Sequence, residues 1–257
     1  MGSDYAQIAK ESRLKVLDLI HSAQTSHVGS VMGAADLFAV LFENIDLDKD
    51  KFILSAGWKA ALLYYHLWRK GRITEEELNS YNQPGSKWIG LCEPIHPDIP
   101  FAGGSVGMGI AAGVARAWSK KQRNEPGRVY VLESDGGMQV GITWEALWFA
   151  DQHDLNNLTV IIDNNGFQAL GRTDGILSMR RLKGKLEQFG CLTVTVNGHD
   201  YKDIELAIKL EDMSKPVVII ANTCKGCGVS FMRDNNDWHY RRVDDKNYEL
   251  AKQELGQ

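Results

Sequence analysis

The chain has 257 residues, 44% hydrophobic and 24% charged, with a formal net charge of -4. That length buries a real core as one large or two small domains, and the scattered charge excludes the basic footprint that nucleic acid requires. The longest apolar runs, LTVIID at 158–163 and PVVIIAN at 216–222, are strand-sized and far below the ~20 residues of a membrane span.

The start MGSDYAQIAKES lacks the charged-then-apolar layout of a signal peptide, which predicts a cytoplasmic protein. A 3.6-residue apolar period then predicts helices over 5–23 and 33–44, followed by a strand over 51–55. Helices over 58–70 and 74–81 come next, the second opened by a capping box between Thr74 and Glu77. A helix over 107–120 precedes a strand at 128–133, a helix at 141–153 and a strand at 158–163. The chain continues as helix 182–189, strand 191–196, helix 201–210 and strand 216–222. This alternation predicts an α/β fold, a parallel sheet with helices on both faces, as a single domain over 1–257. The irregular stretches 83–106 and 164–181 hold too many Gly, Trp and apolar residues for disorder and are expected to be binding loops. The run GMGIAAG at 107–113 resembles a dinucleotide fingerprint, but it follows PDIPFAGGS instead of a strand. Small residues there are expected to allow close helix packing.

Of the four cysteines, Cys224 and Cys227 form a C-x-x-C pair in NTCKGCGVS. Zinc would want a second pair or a His doublet, and dithiol chemistry would want the pair to open a helix in a thioredoxin-like unit. Neither context is present. Gly226 and Gly228 instead predict a loop whose backbone approaches something closely.

SDGGMQVG at 134–141 closes the strand VYVLE, and the next strand, LTVIIDNNGF, ends in an amide pair. Asp135 and Asn165 are thus one strand-helix-strand unit apart, on loops at the carboxyl ends of neighbouring parallel strands, where open α/β sheets bind ligands. An Asp oxygen, an Asn amide oxygen and a nearby carbonyl are hard ligands suited to Mg²⁺ or Ca²⁺, which can grip a diphosphate. Strand-ending Asp and Asn also serve as plain turn residues.

The stretch SDGGMQVGITWEALWFADQHDLNNLTVIIDNNGFQALGRT resembles the thiamine-diphosphate motif of transketolases, which begins Gly-Asp-Gly and ends at an Asn. SHVGSVMGAADLFAVLF, DKFILSAGWKAALLYYHLWRKG, GGSVGMGIAAGVARA and GVSFMRDNNDWHY have transketolase counterparts in the same order. The resemblance covers the family's amino-terminal, diphosphate-binding domain, which split enzymes encode as a separate subunit. It implies a thiamine-diphosphate-binding fold, with Asp135, Asn165 and the Phe167 carbonyl as metal ligands. Gly136 is then expected beside the diphosphate, with Gly104 and Val106 on the aminopyrimidine ring and Lys225 near the diphosphate. His27 matches the histidine of an S-x-H-x-G motif in which Thr25 replaces the serine, and His239 matches a second histidine of the substrate channel.

Departures from the family imply altered substrate. AGWK puts Trp58 where transketolases carry a histidine touching diphosphate and substrate, and an ungapped alignment puts Gly90 and Leu91 at a Gly-His pair that binds a donor hydroxyl. His96 could substitute only through a rebuilt loop. Ser134 replaces the motif's first glycine, and Val140 an acid of a proton relay. The cofactor supplies a carbanion and an electron sink. His27 is expected to donate to the developing oxyanion, and His239 to assist proton transfer. The resemblance implies transfer of a two-carbon ketol or acyl unit from a ketose. The alternative is the subunit of a 2-oxo acid decarboxylating ligase or synthase, and a non-catalytic scaffold is a third. The glutamate that activates the cofactor comes from a second domain in the family, so a symmetric heterotetramer with a pyrimidine-binding partner subunit is expected.

Overall fold

The computed structural model describes residues 4–256. The elements are α1 (Tyr5–Ala23), α2 (Val28–Asn44), β1 (Lys51–Leu54), α3 (Ala60–Arg69), α4 (Glu75–Asn79), α5 (Met108–Gln122), β2 (Val129–Ser134), α6 (Gly141–Gln152) and β3 (Leu158–Asn164). There follow β4 (Phe167–Gln168), β5 (Gly171–Arg172), α7 (Thr173–Ile176), α8 (Leu182–Gln188), β6 (Leu192–Asn197), α9 (Tyr201–Ile208), β7 (Val217–Asn222) and α10 (Asp245–Gly256). Five strands form one parallel sheet in the order β1-β2-β3-β7-β6, and β4-β5 is a small antiparallel hairpin.

The two-residue period of the strands divides the core between the sheet's faces. Phe52, Leu54, Tyr130, Leu132, Ile161, Val217 and Ile219 pack with residues of α1, α2, α3 and α9. Their alternates, Ile53, Val129, Val131, Val160, Ile162, Val218 and Ile220, pack with residues of α5, α6 and α8. Burial of both faces is why these strands read as unbroken apolar runs. From β2 to β3 the sheet grows in one direction with α6 as the crossover, whereas β6 to β7 runs back with α9 on the opposite face, as right-handed connections require. This reversal opens a crevice at the carboxyl ends of β3 and β7.

Helix α2 is buried along almost its whole length, from Val28 to Phe42. Its start lies before the expected 33, because tertiary packing overrides the poor helix propensity of Gly29, Ser30 and Gly33. Close approach is what those residues provide: a Cβ on Gly33 would lie 2.7 Å from the Cys224 carbonyl oxygen. In the expected close-packing run, a Cβ on Gly109 would strike Ser55 and one on Gly113 would strike Val131, each at 2.3 Å. The Thr74–Glu77 capping box is formed as expected. The sequence reading missed α10, the β4-β5 hairpin and the single turn α7.

Candidate active site

A cleft of about 610 Å³ opens at the carboxyl end of the sheet. Its lining includes His27 and Ser30 at the start of α2, Trp58 and Lys59 after β1, Leu91, Gly104 and Val106 from the first long loop, and Ser134, Gly136, Gln139 and Val140 after β2. Asn165, Phe167, Gln168, Ile176 and Leu177 close it from the second long loop, with His239 and Tyr240 opposite. Thus His27, Trp58, Gly104, Val106, Gly136, Asn165, Phe167 and His239, all singled out in the sequence, line one cleft. Asp135 and Lys225 lie behind the wall, both fully buried.

The floor is a charge network. Asp135 accepts from the Gly136 amide at 2.9 Å and the Gly166 amide at 2.6 Å. Burial, and then the neighbouring Asp163, push its carboxyl up to about 7. Asp163 accepts from the Thr223 hydroxyl, and the Asn165 amide lies 3.4 Å from it. Lys59 Nζ is 3.0 Å from Asp163 Oδ2 with its side chain 1% exposed. At that distance the two are an ion pair, although the angles leave Nζ without a well-formed hydrogen bond. Sequence reasoning missed Lys59 and Asp163. The only sign of Lys59 was a lysine in the turn SAGWK after a strand, ahead of the apolar run AALLYY.

The imidazoles sit above this floor. His27 is in the left-handed region at φ 71°, its amide donating to the His239 carbonyl at 2.9 Å, and Nδ1 is 2.8 Å from the Ser26 hydroxyl. Lys225 donates to Asn236 Oδ1 at 2.7 Å and to His239 Nδ1 at 2.9 Å. An ammonium has no acceptor, so His239 carries its ring proton on Nε2. Burial, then the charges of Lys59 and Lys225, push His27 down to about 4. Burial, then Lys225, push His239 down to about 3. Both rings are neutral near pH 7, 4.7 Å apart between centroids. Burial and Lys59 also lower Lys225 to about 8. Two buried lysines beside neutral, polar rings make a site for an anion.

Other departures find physical roles. Ser134 accepts the Gly137 amide at 3.0 Å through its hydroxyl, holding the turn. Leu91 lines the cleft, and Trp58 lies 6.0 Å from the His27 ring. His96 is not among the lining residues; it packs on Trp88 and accepts the Asp98 amide at 3.2 Å. The first long loop is clasped to the end of β1: Gly57 donates to the Gly103 carbonyl at 3.1 Å, Cys92 to the Gly57 carbonyl at 3.2 Å, and Gly103 to the Cys92 carbonyl at 3.0 Å. A Cβ on Gly57 would stand 2.3 Å from Gly103 O, and one on Gly103 2.4 Å from Leu54 O.

The chain is similar to an apulose-4-phosphate transketolase subunit from Phocaeicola vulgatus, 28% identical over 97% of this chain and 92% of that one. The subunit of the same name from Actinobacillus succinogenes is 31% identical over 96% of this chain and 94% of that one. Transketolase from Campylobacter jejuni has the same fold, with a TM-score of 0.91 and 28% identity, and the chain spans 43% of that longer protein. Residues 5–257 match the family described as transketolase, thiamine diphosphate binding domain, and the chain belongs to that family.

Proposed function

We propose that the chain is the diphosphate-binding subunit of a split thiamine-diphosphate-dependent transketolase that transfers a two-carbon ketol or acyl unit. The observation that carries this reading is the cleft floor, where Lys59 and Lys225 meet a buried acid pair below two neutral imidazoles. The cofactor would supply the nucleophilic carbanion and electron sink. Mg²⁺ would be held by Asp135, Asn165 and the Phe167 carbonyl. The donors fit: all are hard oxygens, and each Asp135 oxygen that accepts an amide, like the Asn165 oxygen that accepts the Phe167 amide at 3.0 Å, keeps a second lone pair. A cation would also relieve the repulsion that raises the Asp135 carboxyl.

Toward substrate, His27 is the donor for a developing oxyanion and His239, with Nε2–H set by Lys225, the proton-transfer group. Trp58, Leu91, Ile176 and Leu177 make part of the wall apolar, which supports a donor other than ordinary sugar phosphates. The same wall favours, as a second reading, a 2-oxo acid donor. A pyrimidine-binding partner in a heterotetramer is supported by full-length similarity to proteins named as subunits, and by the exposed Leu170, Ile176 and Leu177 beside the cleft. The test is calorimetric titration with thiamine diphosphate and Mg²⁺. Asp135→Ala should abolish measurable binding with the circular dichroism spectrum unchanged; unaltered affinity in that variant removes the proposal.

A further inference from the structure

The C-x-x-C pair takes no part in the cleft. Cys224, Lys225, Gly226 and Cys227 form a turn closed by the Cys227 amide donating to the Cys224 carbonyl at 3.2 Å, with Gly226 at φ 76°. Such a turn holds its outer Cα atoms within about 7 Å, which overlaps the ~4.4–6.8 Å separation that a disulfide spans. Both thiols are free, Cys224 buried and Cys227 half-buried.

Cys227 also belongs to a cluster. A carboxylate oxygen of Asp36, a ring nitrogen of His199 and the Cys227 Sγ lie within 4.8 Å of one another. His199 Nδ1 is 2.7 Å from Asp36 Oδ2, and the Cys224 amide donates to Nε2 at 2.8 Å. Asp36 is itself fixed by Arg13, at 3.1 and 2.5 Å, and by the Tyr201 hydroxyl at 3.0 Å. This set does not suit a metal: the Arg13 guanidinium already neutralises Asp36, and Nε2 is engaged by the Cys224 amide. It does suit a thiolate, being a thiol beside an imidazole that a carboxylate orients. Burial opposes ionisation of Cys227, but the neighbouring His199 and then the Arg13 charge hold the thiol below its ordinary value. Burial pushes the other three, Cys92, Cys191 and Cys224, up to about 11, 12 and 11. The hydrogen bond with Asp36, and then the neighbouring Cys227, push His199 up to about 9. The Cys224 amide on Nε2 ties the residue that carries the second sulfur to the same imidazole.

We propose that Cys227, set by His199 and Asp36, is a hydroperoxide-reactive thiol that resolves into a disulfide with Cys224. In the first step the Cys227 thiolate attacks the peroxide O–O bond. An S–O bond forms, the O–O bond breaks, and the leaving oxygen takes a proton to become water, or an alcohol from an organic peroxide. Cys227 is thereby oxidised by two electrons to a sulfenic acid. The Cys224 sulfur then attacks the Cys227 sulfur, the S–S bond forms, and the S–O bond breaks. The departing hydroxide takes the Cys224 proton and leaves as water. A dithiol reductant reverses the bridge. The ring so closed contains Lys225, whose ammonium holds Asn236 and His239.

The test treats the full chain with hydrogen peroxide at pH 7 and follows intact mass and cysteine labelling. The expected product has lost two hydrogens and regains them with dithiothreitol. Iodoacetamide should alkylate Cys227 of the untreated chain about tenfold faster than Cys92 or Cys191. Cys224→Ser should trap a dimedone-reactive sulfenic acid, and Cys227→Ser should form neither it nor the bridge. His199→Gln should slow Cys227 labelling about tenfold with the circular dichroism spectrum unchanged. Equal alkylation rates for all cysteines, or a peroxide-treated chain in which Cys224 and Cys227 stay thiols, overturns the proposal.

Discussion

Lys59 brings an ammonium to a cleft wall where its side chain is 1% exposed, against Asp163 and 5.4 Å from the Trp58 ring. A group so placed has already been stripped of water, so an arriving diphosphate gains its attraction at little further cost. Charge-assisted hydrogen bonds contribute roughly 1.5–3 kcal/mol, so Lys59→Met should weaken thiamine diphosphate binding about tenfold to a hundredfold. Thiamine, which lacks the diphosphate, should bind both proteins alike, and calorimetry with the two ligands separates a lost phosphate contact from general damage. Equal losses for thiamine and thiamine diphosphate would count against the assignment. Asp135, Asn165 and His27 were legible because strand ends and motif order mark them. Lys59 was not, since a buried lysine is defined by partners from remote elements: Asp163 lies on β3, at the far side of the cleft floor.

Between elements, Arg13 on α1 and Asp36 on α2 form a buried pair that also ties in His199 and, through Tyr201, α9. Asp36→Asn keeps the shape but leaves the Arg13 guanidinium buried without a counter-charge. Breaking one side of such a pair costs about 3–5 kcal/mol, which urea unfolding should show as a large fall in midpoint. Adding Arg13→Met to that variant should recover much of the loss; no recovery would mean the pair is not the cause. The strands were legible because both faces are buried and the apolar runs are therefore long. Helix α10 was not, because only Ala251 and Leu255 are buried in its twelve residues. Their spacing, with Tyr248 packed three residues before Ala251, is a helical stripe that a search tuned to stronger amphipathicity passes over. The start of α2 failed for the opposite reason: glycine and serine argue against helix locally, and only the packing around them argues for it.

Across the molecule, buried neutral histidines make the fold sensitive to acid. His27 and His239 are lowered to about 4 and about 3, and the fully enclosed His66 is lowered as well, chiefly by burial. In the unfolded chain these groups take up protons near pH 6.5, while the folded state does not until the pH is much lower. Between about 6.5 and 4 the unfolded state therefore binds more protons, and stability falls as pH falls, by at most about 1.4 kcal/mol per pH unit for each histidine. His199, raised to about 9, is protonated in both states below 6.5 and adds no slope in that window. Its own stabilisation is present at low pH and lost as pH rises through about 9. Urea midpoints should drop from pH 7 to pH 5, and His27→Asn and His239→Asn should each flatten the drop. Asp135, raised to about 7, opposes part of the drop by taking up a proton in the folded state, so the variants decide: a pH dependence unchanged in both His27→Asn and His239→Asn contradicts the burial of these rings as neutral groups.

The clasp between Gly57, Cys92 and Gly103 bears on how this cleft can be rebuilt. Leu91, Gly104 and Val106 flank Cys92 and Gly103, the two points at which the loop is locked through backbone to Gly57 just after β1, and neither glycine has room for a side chain. These residues beside the locked points can be exchanged one at a time, because the frame that presents them does not depend on their identity. Grafting the whole segment from a relative is another matter. The donor must bring its own glycine at position 103 and meet one at position 57, or the transplanted loop will not seat, whatever the merits of its substrate-facing residues.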